Sequence, residues 1–389
     1  MRRFIEPLSL TLGGLLVGWL LLEIILRWTA TALPYTITAP MRDVNRHPFT
    51  AATILPEQIW IDDDSYQLIT PPGIDNEFQY PDPRIGLNVS TQNWLDPNSQ
   101  VGFRVPSIDW EPIWPVDVVV VGDSFSFCYV EYADCWVDLL ASKHNYSMVN
   151  LGLVATGSIS HQNVLNTFGL PHDPQLVIWQ WYGNDFNDDY GFTTLYGENA
   201  EERKGEDSVP PGWLRRNSAV ASIVHAISQS RQGSQQFTRF IDPYMVNIGN
   251  ENIWFGRPYI QEAFSLQEAK NQQGFALSQK AILDTQTRLA SKGVELVVLL
   301  IPSKEEVYET WTADEMGPDL LDEIAQGRQE MLLFCESNSL TCLDTTSTLK
   351  DQANVGNLVY HAQDTHLNKL GNQVLAEFVK KNLDSMLTK

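Results

Sequence analysis

A short β-branched run from Val116 to Val121, closed by Gly122, has the composition of a strand buried on both faces. A helix follows it, with Asp134 as its expected cap and Trp136, Leu139 and Leu140 on one face. The same unit recurs, with Met148 to Leu151 leading to a helix near Ser160 to Phe168, and Leu176 to Trp181 ending at Gly183. After an interval come a long helix around Leu266 to Ser291, a strand at Val294 to Ile301, a helix near Pro318 to Glu336, a strand at Leu340 to Asp344 and a last helix from about Lys369. This βαβ rhythm implies a parallel sheet, because each helical crossover returns the chain to the end of the sheet where the previous strand began. Five of them predict a flavodoxin-like three-layer α/β/α sandwich around a five-stranded parallel sheet.

At 389 residues the chain exceeds one domain of this kind, so additions are expected. Arg2 and Arg3 precede an apolar run from Leu8 to Leu26, interrupted by Ser9, Thr11 and Glu23. Such a run is long enough to cross a bilayer, with Glu23 near the far interface and the arginines holding the N-terminus in the cytoplasm. A cleaved signal peptide is the competing reading, and Arg27 beyond the run favours the uncleaved anchor. The expected division is a cytoplasmic segment 1–7, an anchor 8–27, a Pro-, Asn- and Asp-rich stalk or cap 28–115, the core 116–190 and 266–389, and an insertion 191–265 that could form a lid or partner surface. The domain would then be extracytoplasmic, in the periplasm or at the cell surface.

Asp and Glu number 48 against 26 Lys and Arg, a formal charge of -22, with no basic cluster beyond the N-terminus. Nucleic acid is thereby disfavoured as a partner. Four cysteines fall into two equally spaced pairs, Cys128 with Cys135 and Cys335 with Cys342, neither at the short spacing of a zinc or redox site. Outside the cytoplasm they are expected to form two local disulfides; four buried thiols are the alternative.

Open parallel sheets bind ligands at the carboxyl ends of their strands. The first strand is followed by Gly122-Asp123-Ser124-Phe125, the second by Asn150-Leu151-Gly152 running on to Ala155 and Gly157, the third by Gly183-Asn184-Asp185, and the fifth by Asp364-Thr365-His366-Leu367-Asn368. All four groups should meet at one edge. Ester chemistry needs a nucleophile, a base, a group that orients the base and donors for an oxyanion. Ser124 offers a hydroxyl at a tight turn together with its own N–H. Asp364 and His366, two apart, can point to the same side of an extended loop, so the carboxylate can fix the imidazole tautomer. The Asn184 amide and a backbone N–H after the second strand can serve the oxyanion.

These four blocks resemble the signature blocks of SGNH (GDSL-type) hydrolases over roughly residues 116 to 190 and 266 to 389. The resemblance implies Ser124 as nucleophile, His366 as base, Asp364 as its orienter, and Ser124 N–H, Asn184 and Ala155 N–H as oxyanion donors. Ala155 stands where the family usually has glycine, five beyond Asn150, with Gly152 and Gly157 as alternative counterparts. The one-residue spacing of Asp364 and His366 resembles the branch that O-acetylates exopolysaccharides, which keeps acyl transfer open beside hydrolysis. The implied substrate is an acylated small molecule, glycan or lipid, and a transferase would need a membrane partner to supply its acyl donor. A non-catalytic glycan-binding module is the third reading.

Neighbouring residues have plainer expectations. Asp123 should brace its turn and Asp185 should satisfy local backbone donors. His47, His144, His161, His172 and His225 have no carboxylate paired with them in a strand-end loop and are expected to be structural, while His361, close to Asp364, is the rival base. Trp179 and Trp181 read as core. Lys304, after Ile301-Pro302-Ser303, is a candidate substrate contact. HExxH, P-loop, dinucleotide and GxSxG patterns are missing, so no metal or other cofactor is implied.

Overall fold

In a computed structural model of the chain, residues 2–29, 61–78, 87–144, 146–196, 218–230, 244–249, 251–256, 263–362 and 364–387 are described. His47, the charged stretch Glu198 to Asp207 and the Pro210-Pro211-Gly212 break lie outside them. The chain forms two compact units. One comprises Met1–Gln58, Glu77–Gly86 and Ser208–Ile241, and the other Ile59–Asn76, Leu87–Asp207 and Asp242–Lys389.

In chain order the elements that matter here are α1 (Arg2–Thr29), β1 (Leu87–Gln92), β2 (Phe103–Val105), β3 (Val118–Val121), α2 (Ser124–Phe127), α3 (Trp136–His144), β4 (Met148–Asn150), α4 (Ser158–Val164), β5 (Leu176–Tyr182), α5 (Asp185–Tyr196), α6 (Ala219–Ser230), β6 (Tyr244–Ile248), β7 (Glu251–Phe255), α7 (Ala269–Ala290), β8 (Glu295–Ile301), α8 (Lys304–Val307), α9 (Pro318–Ser337), β9 (Thr341–Asp344), α10 (Thr346–Asn354) and α11 (Lys369–Leu387).

The larger unit is built on one five-stranded sheet in the order β9-β8-β5-β3-β4, with every pairing parallel. This is the doubly wound order expected from the sequence. Chain direction across the sheet reverses between β3 and β5, the place where such folds leave a crevice at the strand ends. Side chains alternate along each strand. Val118, Val120, Ile178 and Leu299 pack on one face with Trp136, Leu140, Leu375 and Val379. Val119, Val121, Trp179, Trp181 and Val298 pack on the other with Ile282, Leu289 and Met331. Both faces are therefore covered by helices, which is why these strands are predominantly apolar. Trp179 and Trp181 are fully buried, in the core role expected of them.

Several local expectations need correction. The N-terminus of α3 is served by Asn372, whose Oδ1 accepts from Trp136 N–H at 3.1 Å. Asp134 instead sits in a short 3-10 turn and pairs with Lys369 at 3.0 Å. Part of the 28–115 region, expected to be a stalk or cap, packs on the core: β1 and β2 pair antiparallel, and Phe103 joins the face that holds Trp179. The inserted region contributes an antiparallel hairpin, β6 with β7, whose Ile248, Ile253 and Phe255 are buried in the other core face. Both cysteine pairs are joined, Cys128–Cys135 with Cα atoms 5.6 Å apart and Cys335–Cys342 at 6.1 Å.

In the smaller unit the N-terminal apolar run forms α1, 28 residues long. Among the described residues no helix is long and apolar enough to cross a membrane, and the first side chains of the expected 8–27 span lie outside them. Glu23 does not reach outward as expected. Its carboxylate accepts from Ser218 Oγ at 2.9 Å and from the Ala219 and Val220 N–H groups at 2.7 and 3.1 Å, and it pairs with Arg27 at 2.6 Å. The first N–H groups of a helix have no partner within it, so the carboxylate caps α6 from another element.

Candidate active site

Ser124 opens α2 directly beyond β3, where the strand must turn sharply. Asp123 makes that turn by accepting Phe125 N–H on Oδ1 at 2.8 Å. Its own N–H donates to Gln180 Oε1 at 3.0 Å, which also accepts from Ser126 Oγ at 3.1 Å. Gln180 is thus the polar interruption in an apolar strand that fastens the nucleophile turn to the centre of the sheet. Gly152 lies against the same turn, where a Cβ would come within 2.7 Å of Phe127 N.

The segment before α11 brings the other two groups to Ser124. His366 Nε2 lies 2.7 Å from Ser124 Oγ, and His366 Nδ1 lies 2.6 Å from Asp364 Oδ1. The same carboxylate oxygen accepts His366 N–H at 2.9 Å, so one acid fixes both the ring and its backbone. Burial alone would raise the Asp364 carboxyl, but the His366 charge and these hydrogen bonds outweigh it and hold it well below the usual carboxylate range. An ionised Asp364 requires a proton on Nδ1, which leaves the Nε2 lone pair for the serine O–H. Phe125 and Tyr129 flank the imidazole, with ring centroids 5.0 and 4.4 Å from it.

Of the expected oxyanion donors, Ala155 has a left-handed backbone, φ +49°, which accounts for the glycine usual at this position. Gly152 and Gly157 serve close approach instead: a Cβ on Gly157 would meet Asp185 O at 2.4 Å. Neither Ser124 N–H nor Ala155 N–H donates to another described residue. Asn184 Nδ2 gives one hydrogen to Asp188 Oδ2 at 2.9 Å, and an amide nitrogen has a second to offer.

Behind the site lies a cluster that sequence reasoning only partly foresaw. Asp123, Asp185, Asp189 and His161 are all buried. His161, expected to stand apart from any strand-end carboxylate, has Nδ1 3.7 Å from Asp185 Oδ2. Burial pushes His161 down to about 3 and keeps it neutral. Burial also pushes Asp123 up to about 6 and Asp189 up to about 7. Asp185, buried and facing the charges of Asp123, Asp189 and Asp188, is raised well above the ordinary carboxylate value. Asp185, expected to serve local backbone donors, has the Tyr182 N–H as one, and its Oδ2 also accepts from Ser158 Oγ at 3.4 Å. No group of three or more His, Cys, Asp or Glu is placed to hold a metal ion among the described residues.

His361 is not a rival base. Its Nε2 lies 2.9 Å from Tyr129 O, joining the segment after Ser124 to the segment before His366. His172 accepts from Trp94 Nε1 at 3.1 Å under the ring of Trp114, a structural role. Lys304, expected in contact with substrate, is fully buried. Arg104 was not singled out by any motif. It is buried and donates to the carbonyls of Phe127, Cys128 and Val130, gripping the segment after the nucleophile. A lone arginine between Phe103 and Val105 in an apolar strand was the available signal.

Residues 258–388 match the family model of an SGNH hydrolase-like domain, acetyltransferase AlgX. A search of curated proteins finds no match. Among solved structures, one similar to this chain is assigned to the lipolytic G-D-S-L family in Desulfitobacterium hafniense DCB-2, at 15% identity and TM-score 0.38, covering 68% of this chain and 98% of its own. Another is a member of the lipolytic G-D-S-L family from Veillonella parvula DSM 2008, at 11% identity and TM-score 0.37, covering 68% and 96%. A third is a catalytic mutant of an acetylxylan esterase from Geobacillus stearothermophilus, at 10% identity and TM-score 0.36, covering 68% and 92%.

Proposed function

We propose that the chain is a serine-dependent ester hydrolase working through an acyl-enzyme on Ser124, a reading supported by the match of residues 258–388 to the model of an SGNH hydrolase-like domain. The observation that carries this reading is the unbroken hydrogen-bonded line from Asp364 through His366 to Ser124 Oγ.

Ser124 Oγ attacks the ester carbonyl carbon and gives its proton to His366 Nε2, while the carbonyl π electrons move onto oxygen. Asp364 stabilises the imidazolium. The N–H groups of Ser124 and Ala155, with the free hydrogen of Asn184 Nδ2, are the donors proposed for the oxyanion. Collapse re-forms the carbonyl, breaks the bond to the alcohol oxygen and returns the proton from Nε2 to the leaving alcohol. Water then repeats the sequence on the acyl-enzyme, giving its proton to His366, and releases the acid with Ser124 restored.

A second reading, O-acetyl transfer, is favoured by the match to the domain of an acetyltransferase and by the one-residue spacing of Asp364 and His366. It uses the same acyl-enzyme, with a sugar hydroxyl in place of water. Acylated glycans or lipids are the proposed substrates. Purified protein supplied with simple acetyl esters, with and without polysaccharide, tests both: acid release supports hydrolysis, gain of acetyl mass on the glycan supports transfer, and full turnover by Ser124→Ala would rule out both.

An extracytoplasmic site of action is supported by the two disulfides, which persist where thiols are not kept reduced. An anchoring role for α1 is proposed on its exposed Leu15, Leu16, Leu20, Leu21 and Ile25. Release of the full chain from membranes by alkaline carbonate would contradict the anchor.

A further inference from the structure

Ser303 and Glu306 form a capping box at the end of β8, with each side chain accepting the other's backbone N–H. That box sets Lys304 at the first position of α8, with its side chain turned into the protein and fully buried. Its Nζ shares its three hydrogens among four backbone carbonyls within reach: Trp254 at 2.8 Å, His361 at 2.7 Å, Ala362 at 2.9 Å and Asp364 at 3.0 Å.

Three of those carbonyls belong to the few residues before His366. The loop doubles back on itself, with His361 N–H donating to His366 O at 3.0 Å and Tyr360 bridged to Leu367. Carbonyl dipoles that converge on one point repel one another, and a buried cation at that point offsets the repulsion. The ammonium therefore selects the loop shape that brings Asp364 under His366. The fourth carbonyl comes from the inserted hairpin, whose Trp254 N–H also donates to Ala362 O at 2.8 Å. Glu305, buried beside Lys304, accepts Gly256 N–H at 3.2 Å just beyond that hairpin.

We propose that Lys304 is the positioning residue of this site, its ammonium holding the 361–364 loop and the Trp254 hairpin in the one arrangement that aims His366 at Ser124. This deepens the acyl-enzyme reading and rests on it. Burial lowers Lys304 toward about 7 while Glu305 and Asp364 favour its charged form. Lys304 touches no reacting atom, so its contribution is alignment, and a misplacement of about an ångström at such a site costs on the order of a hundredfold in rate.

The test compares full-length wild type, Lys304→Met and Leu289→Ala, the last a core truncation on the opposite sheet face that serves as a control for general loss of stability. Two readouts are taken: ester turnover, and the low-field proton resonance that the short His366 Nδ1–H bond to Asp364 produces. The expected result is that Lys304→Met loses the resonance and drops kcat on the order of a hundredfold with KM changed less than about twofold. Leu289→Ala, with an equal or greater fall in Tm, keeps both. Retention of the resonance and of kcat by Lys304→Met, or equal loss of both in Leu289→Ala, overturns the proposal. A wild type that shows the resonance but turns over no ester overturns the acyl-enzyme reading instead, and the resonance comparison still decides the role of Lys304.

Discussion

Asn184 donates one amide hydrogen to Asp188 at 2.9 Å across one turn of α5. The carboxylate holds the amide in one orientation and leaves its second hydrogen for the proposed oxyanion role. Asn184→Ala should lower kcat on the order of a hundredfold or more, the usual cost of one such donor. Asp188→Ala should lower it less, because the amide can still turn into place. Steady-state kinetics on one ester substrate checks the order; equal effects would contradict the orientation argument.

Ala155 holds its left-handed backbone at a cost that glycine would not bear. Ala155→Gly should raise stability by about 0.5 to 1 kcal/mol, after the entropy glycine adds to the unfolded chain. Ala155→Val should lower it by more than that, since a β-branched residue resists this region. Denaturant unfolding measures both.

Asp189 accepts Ile159 N–H and Ser278 O–H in a buried place, and its carboxyl is pushed up to about 7 by burial. Between the unfolded value near 4 and the folded value, the native state holds the proton that the unfolded chain has lost. Its contribution is therefore fully present below pH 4 and falls away as pH rises through 7. Asp189→Asn, whose Oδ1 can keep the Ile159 bond while its Nδ2 donates to Ser278 Oγ, should flatten the decline in stability between about pH 4 and 7. Unfolding followed across that range in both proteins checks the sign; an unchanged slope would exclude Asp189 as its source.

Each disulfide joins cysteines seven apart in sequence, and loss of either should cost about 2 to 3 kcal/mol by loop entropy. Only the Cys128–Cys135 loop carries Tyr129, whose ring meets His366 and whose carbonyl meets His361. Cys128→Ser with Cys135→Ser should therefore lower kcat as well as Tm, whereas the same change at Cys335 and Cys342 should lower Tm alone.

The sheet was legible because its strands are buried on both faces and so read as unbroken apolar runs such as Val118 to Val121. Ser124, Asp364 and His366 were legible because polar groups at the strand ends of a doubly wound sheet share one edge, and these three meet there. What holds them was not. Arg104 and Lys304 work by donating to backbone carbonyls, and a carbonyl leaves no mark in the sequence. His161 and Asp185 lie 24 positions apart on α4 and α5, and their proximity follows from helix packing that no local pattern encodes. Glu23 read as a charge bound for the membrane surface because its true partners are N–H groups of a helix some 196 residues later.

A hydroxyl and an imidazole 242 residues apart are proposed to form one working nucleophile. Treatment of the folded protein with a serine-directed fluorophosphonate, followed by intact-mass analysis and peptide mapping, tests it directly. A single adduct on Ser124 is expected in wild type and little or none in His366→Gln. A folded wild-type sample that takes up no probe, or takes it up on another serine, would contradict it.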